Sequence, residues 1–204
     1  MTITVGFVKE QKGDEARVAL VPETAAKILE LGWQVLFEPD AGEAAGFPNE
    51  AYPDMCQMAK TRNDVLSAAD VLVGVDALSA EDLTTLKHDA VVVGMVSPYQ
   101  DQQRFKQAAA NNITVFSMEL IPRTTRAQAM DVLSSQASVA GYKAVLLAAS
   151  EAPRFFPMLT TAAGTIRPAS VLVIGAGVAG LQAMATARRL GANVTGYDVR
   201  PETV

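Results

Sequence analysis

The stretch SVLVIGAGVAGLQAMATARRLGANVTGYDV, residues 170–199, constrains this chain more than any other. It opens with a short apolar run of the kind that forms a buried strand. Three glycines follow at the spacing G-x-G-x-x-G: Gly175, Gly177 and Gly180. A helical pattern then runs to Gly191, which reads as a helix stop, and a second strand pattern closes with Asp198. A glycine triplet alone is weak evidence. A triplet that follows a strand and opens a helix predicts a βαβ unit with a tight turn at its first corner.

Each residue type has a physical reason there. Gly175 allows the tight turn, Gly177 lets the backbone approach a pyrophosphate, and Gly180 lets the helix pack closely on the strand. Amides at the helix start then point at the phosphates. Asp198 lies 18 residues after Gly180, at the end of the second strand. A carboxylate there accepts hydrogen bonds from ribose hydroxyls and repels a 2′-phosphate, which favours NAD(H) over NADP(H). Arg200, beyond Val199, pulls the other way, since an arginine can serve a 2′-phosphate. The alternative is a glycine-rich turn that serves packing only.

Upstream, β-branched runs alternate with helical patterns. The strand candidates are ITVGFV, QVLF, VLVGV, AVVVGMV and ITVFSM. Between them lie PETAAKILELG, residues 49–61, AEDLTTLK and DQQRFKQAAANN. Near-continuous apolar strands between helices predict a parallel sheet covered on both faces. The expected class is α/β, with two Rossmann-like parallel-sheet domains, the second ending after its first βαβ unit. The expected divisions are an N-terminal α/β domain at 1–126, a connecting helix at 127–150, and the start of a nucleotide-binding domain at 151–204. Residues 151–170 carry three prolines and a glycine and read as a linker or loop. Because a doubly wound nucleotide domain normally has about six strands, the chain reads as a piece of a longer protein.

Composition excludes some functions. Formal net charge is −5 and the 17 lysines and arginines form no block, which argues against a nucleic-acid partner. Cys56 is the only cysteine and His88 the only histidine, so an internal disulfide, a histidine triad and a multi-histidine metal site are not expected. The most apolar window, residues 169–187, is broken by its glycines and is not a membrane span. Cys56 and Met58 sit on a helical pattern and read as core fillers. Trp33 and Phe37 read as packing residues, and His88 as a solvated turn residue.

The stretch RTTRAQAMDVLSSQ, residues 123–136, is unusual for a helix surface. At about 100° per residue, Gln128, Asp131, Ser134, Ser135, Ser138 and Tyr142 fall within roughly a third of the helix. That arc has neither Glu nor Lys. It reads either as a polar face aimed at a ligand, with Arg123 and Arg126 near the positive helix start, or as a helix packed through small hydroxyls.

Taken together, KEQKGDEARVALVP, RTTRAQAMDVLSSQASVAGYKAV and VLVIGAGVAGLQAMATARRLGANVTGYDVR resemble the NAD(H)-binding part of the proton-translocating NAD(P) transhydrogenases, in the alanine dehydrogenase/transhydrogenase family. The middle segment is the most specific. The resemblance implies that Arg123, Asp131 and Ser134 hold the nicotinamide carboxamide, within a cofactor-binding run that includes Thr124, Thr125 and Arg126. It implies that Gln128 juxtaposes two nicotinamides. The turn Gly175, Ala176, Gly177, Val178 and Gly180 would hold the pyrophosphate, and Asp198, Val199 and Arg200 the adenosine ribose. The implied reaction is direct hydride transfer from NADH to NADP⁺, with the NADP(H) held on a partner β subunit or domain. The protein supplies proximity and orientation, without an acid or base. A homodimer, a place on the cytoplasmic face of the inner membrane, and membrane contact only through other segments are also implied.

Two other readings remain. Alanine dehydrogenases share the first segment, and Arg17 fits their substrate arginine, unless it is a surface ion-pair partner. That resemblance also implies a lysine after the third strand and a histidine after the fourth; no lysine lies near Val75 and no histidine follows AVVVGMV, since His88 precedes that strand. The chain could also be a non-catalytic fragment.

Overall fold

The computed structural model describes residues 2–76, 78–100 and 102–201. The chain divides into two compact units, Met1–Ala127 and Gln128–Val204.

In the first unit, β1 (Thr4–Phe7) is followed by α1 (Pro22–Glu30), β2 (Gln34–Phe37), β3 (Gln57–Met58), α2 (Arg62–Ala68), β4 (Val71–Val73), α3 (Ala80–Thr85), β5 (Val91–Gly94), α4 (Gln102–Ala110) and β6 (Thr114–Ser117). The six strands form one sheet in the order β3-β2-β1-β4-β5-β6, and every pairing is parallel. Val5 lies in register between Val35 and Val71. The expected sheet is therefore present, with the strand order switching direction between β1 and β4.

Strand alternation builds two cores. On one face Phe7, Val35 and Phe37 pack with Leu20, Ala25 and Tyr52. Phe7 stacks on Phe37 at 5.4 Å and Phe37 on Tyr52 at 4.9 Å. On the other, Leu72 and Val92 pack against Val65 and Leu66 of α2, Leu83 of α3 and Ala108 of α4. Helices on both faces explain why these strands read as almost unbroken apolar runs. Phe37 fills the core as expected.

Residues 49–61 depart from the expected helix. A 3₁₀ turn, Asn49–Ala51, is followed by the two-residue edge strand β3. Pro48 precedes that turn and Pro53 follows it, and proline disfavours a continuous helix on both counts. Met58 is consequently exposed rather than a core filler, while Cys56 packs partly against the Phe7 cluster. The helix lies just after, at α2. Thr61 caps it, accepting from the Asp64 amide, and Asp64 accepts in return from the Thr61 amide. That reciprocal box is a helix-start signal. The expected helix DQQRFKQAAANN becomes α4; Asp101 lies outside the described residues.

The second unit contains α5 (Val132–Glu151), a hairpin of β7 (Leu159–Thr161) and β8 (Gly164–Ile166), then β9 (Ser170–Ile174), α6 (Val178–Arg189) and β10 (Asn193–Tyr197). β9 and β10 pair in parallel, Ser170 opposite Asn193 through Ile174 opposite Tyr197, with α6 as the crossover. Its core joins Val145, Phe156, Ala169, Ala187 and Ala192, with Val171 and Val194 packed against them. Residues 151–170, expected as linker, hold the antiparallel hairpin. On the outer face of β9, Leu172 and Ile174 are 63% and 78% exposed, so one face only of this strand pair is covered. Among the described residues, no helix is long and apolar enough to cross a membrane.

Candidate dinucleotide site

The glycine turn joins β9 to α6. Gly175 has φ +99, a region that L-residues rarely adopt. A Cβ on Gly180 would lie 1.8 Å from the Gly175 carbonyl oxygen, so the first turn of α6 rests directly on the turn backbone. A Cβ on Gly177 would meet nothing within 4 Å. Gly177 is the N-cap of α6 in extended conformation, with no side-chain cap. Gly175 thus serves the turn's backbone conformation and Gly180 the helix packing, while Gly177 borders open space in front of a helix start.

Asp198 follows β10 and ties back to this turn. Its Oδ2 accepts from the Ala176 amide at 2.7 Å and from Arg200 Nη2 at 3.0 Å. Its Oδ1 accepts from the Arg200 amide at 2.9 Å and from Arg200 Nε at 3.0 Å. The Arg200 guanidinium first, then the Ala176 and Arg200 amides, hold the Asp198 carboxyl well below the usual carboxylate range. Val199 between them is exposed.

The polar strip is not one helix face. A 3₁₀ turn, Thr125–Met130, precedes α5, which starts at Val132 rather than at Ala127. Asp131 is the N-cap. Its Oδ1 accepts from the Ser134 amide at 2.9 Å, and Ser134 Oγ donates to Oδ2 at 2.7 Å. Aspartate ends the preceding turn because its short carboxylate can satisfy a helix-start amide locally. The structure therefore brings Asp131 and Ser134 together. Gln128 sits outside α5 and is exposed, as are Arg123, Thr124, Thr125 and Arg126. Farther along, Ser134 and Ser138 share a face with Gly141 and Val145, both buried. A Cβ on Gly141 would lie 2.2 Å from the Ala179 carbonyl oxygen of α6. The small residues of the strip thus continue into a close helix–helix contact, so part of the strip serves packing.

The cap gives a local test. Asp131→Ala is expected to lower stability by about 1 kcal/mol, read as a shift in urea midpoint. Asp131→Asn retains a capping oxygen and should recover most of it. Equal losses in both variants would mean that the charge, not the cap, supports α5.

Sequence reading missed a polar group in the first unit. Beyond the carboxyl ends of β1 and β4 lies a cavity of about 220 Å³, lined in part by Glu10, Lys12, Arg62, Asp76 and Asp82. Glu10 accepts from the Val75 and Asp76 amides at 2.6 and 3.2 Å; burial pushes its carboxyl up despite them. Asp76 pairs with Lys12 at 2.7 Å. Arg17 pairs with Glu15 at 2.6 Å, which accords with its ion-pair reading. His88, 70% exposed, lies beside Asp89.

A parallel doubly wound sheet, followed by a unit with a glycine-turn βαβ clamped by a terminal aspartate, defines an α/β protein of the dinucleotide-binding class. The model of the alanine dehydrogenase/PNT N-terminal domain matches residues 6–140, and that of the C-terminal domain matches 144–204. The chain belongs to the alanine dehydrogenase/PNT family. It is 41% identical over 198 residues to NAD(P) transhydrogenase subunit alpha of Haemophilus influenzae, covering 97% of this chain and 38% of that one. It matches the crystal structure of transhydrogenase from Sinorhizobium meliloti with a TM-score of 0.93 at 45% identity, covering 98% and 60%. Alanine dehydrogenase of Mycobacterium tuberculosis is 28% identical over 205 residues, covering 96% and 53%. The chain thus spans only about half, or less, of the length of these curated relatives. The resemblance to transhydrogenase α subunits is borne out.

Proposed function

We propose that the chain is the NAD(H)-binding part of a proton-translocating NAD(P) transhydrogenase. One observation carries this reading: Gly177 borders open space at an uncapped helix start, while its neighbours Gly175 and Gly180 are fixed by backbone conformation and contact. Such a start offers free amides and a positive helix end to a pyrophosphate. Asp198 would serve the adenosine ribose, and its charge disfavours a 2′-phosphate. The motif Arg123–Ser134 would serve the nicotinamide end, with Arg123, Asp131 and Ser134 on the carboxamide and Gln128 ordering the two rings. The bound NADH supplies the hydride for NADP⁺ held by a β subunit or domain. The residues here contribute orientation and proximity. A homodimer on the cytoplasmic face of the inner membrane, attached through other segments, completes the reading.

Alanine dehydrogenase chemistry is less well supported. Where that reading wants a lysine, the chain has Asp76, already paired with Lys12. The deciding experiment titrates NADH into this chain, then adds an NADP-loaded β component. NADH oxidation that needs the β component and not pyruvate with ammonia supports the proposal. Oxidation only with pyruvate and ammonia would reverse it. No saturable NADH binding would favour a non-catalytic fragment.

Gln128 gives a narrower prediction. Gln128→Asn shortens the side chain by one methylene and should slow hydride transfer at least about tenfold, in keeping with the distance sensitivity of oriented reactions. NADH affinity should hardly change. A large affinity loss with unchanged turnover would contradict the assignment.

A further inference from the structure

The Asp198 carboxylate is surrounded in a way that a ribose-binding acid should not be. A carboxylate offers about four acceptor positions. All four are filled within the chain: by the Ala176 amide, the Arg200 amide, Arg200 Nε and Arg200 Nη2. The Asp198 side chain is only 5% exposed as a result, while that of Arg200 is 53% exposed.

These four bonds are of two kinds. The two amides belong to the backbone of the turn and of the strand end, so they cannot leave without unmaking the site. The two guanidinium bonds belong to a half-exposed side chain, whose rotamer can change without moving the backbone. Two removable donors therefore stand where two adjacent ribose hydroxyls would donate.

We infer that Arg200 is a self-competing latch on the ribose subsite. This rests on the dinucleotide reading above. In the free protein the guanidinium takes the two acceptor positions on Asp198 that the 2′- and 3′-hydroxyls of the adenosine ribose need. Binding is then an exchange, with hydroxyls replacing Nε and Nη2 while both backbone amides stay. The turn itself stays tied in both states, since the Ala176 amide keeps its bond to Asp198. The latch reduces affinity, because each binding event breaks a bidentate ion pair. Arg200 thus acts on affinity by masking the acid rather than by touching the ligand.

The sign of the effect separates this from the ordinary role of an arginine near a nucleotide. An arginine that contacts a phosphate strengthens binding, so its removal weakens it. Removal of a latch tightens binding, against the loss of a favourable positive charge. The test titrates NADH, by its fluorescence, into wild type, Arg200→Met and Arg200→Lys. Methionine removes the donors. Lysine keeps the charge but lacks the planar fork that bridges both oxygens. Both variants are expected to bind NADH roughly two- to fivefold more tightly, the range of an ion pair whose arginine is half exposed to solvent. The difference should shrink at high salt, which weakens the pair in the wild type. NADPH should gain less than NADH. Equal or weaker NADH binding by both variants, with unchanged thermal midpoints, overturns the latch alone. Absence of NADH binding in wild type and variants overturns the dinucleotide reading and the latch with it.

Discussion

Gly177→Ala is expected to leave the second unit folded and to weaken NADH binding about tenfold or more, whereas Gly180→Ala should damage both fold and binding. The two substitutions add the same methyl group three residues apart. At Gly177 the new Cβ meets nothing within 4 Å, and the backbone is extended, with φ −75 and ψ −172, which alanine adopts without strain. Alanine is a poorer N-cap than glycine, so a loss of at most about 1 kcal/mol is expected. In the dinucleotide reading, that same space is where the backbone must approach a pyrophosphate. The methyl group would hold the phosphate away from the helix-start amides, and affinity should fall by about tenfold or more. At Gly180 the Cβ would lie 1.8 Å from the Gly175 oxygen and 2.8 Å from its carbonyl carbon. The obstacle is backbone, so it cannot rotate aside. Overpacking costs typically about 1–3 kcal/mol, and the better helix propensity of alanine offsets about 1 kcal/mol. Both variants are expected to lose binding, and the larger fall in thermal midpoint is expected for Gly180→Ala, whose Cβ meets backbone. If Gly177→Ala binds NADH like the wild type, the open space is not a phosphate site.

The glycine turn was legible because each of its constraints is local: a strand, a turn, a helix and an acid at a fixed distance. The first sheet was legible for a related reason. Strands buried on both faces carry Val, Leu and Ile without alternation, and Val91–Gly94 or Val71–Val73 can do little else. The segment around Gln57–Met58 was not legible. Two residues on a sheet edge need no apolar pattern, and their parallel pairing with Leu36 and Phe37 is a tertiary contact that composition does not encode. The α2 start was readable in Thr61 and Asp64 but was overshadowed by the apolar residues before it. The start of α5 illustrates a different failure. Helical periodicity runs through Asp131 without interruption, but a side-chain cap decides where the helix begins. Likewise the acid at 198 was readable, while its occupation by Arg200 depends on a turn geometry that spacing does not encode.

Arg62→Met should be among the most damaging single substitutions in the first unit, and its cost should depend on pH. Arg62 opens α2 and bonds both oxygens of Asp82 on α3, each at 2.9 Å. Its Nη1 donates to the Lys9 carbonyl beyond β1 at 2.8 Å and to Glu38 beyond β2 at 3.1 Å. The side chains of Arg62, Asp82 and Glu38 are 15%, 7% and 19% exposed. Methionine fills similar volume but leaves two largely buried carboxylates without their cation. Breaking a buried pair from one side costs about 3–5 kcal/mol. The residual exposure here places the expectation at the lower end, about 3 kcal/mol, a large part of a typical domain's roughly 5–15 kcal/mol. Burial pushes the Asp82 carboxyl up, but the Arg62 bonds and charge, with help from Ser79, outweigh it and leave the group below its ordinary value. A depressed folded value means that this contribution is fully present above the usual carboxylate range and is lost as pH falls through the folded value. In Arg62→Met, burial is opposed only by the Ser79 bonds, so Asp82 takes up a proton more readily and the penalty is relieved in acid. The gap between wild type and variant, measured by urea denaturation, should therefore narrow on going from neutral pH to below the carboxylate range. Asp82→Asn, which keeps an oxygen for the Ser79 cap, should recover part of the loss when added to Arg62→Met. A gap that stays constant with pH and is not recovered by Asp82→Asn would mean that Arg62 acts through packing between α2 and α3, and not as the counterion of the buried acids.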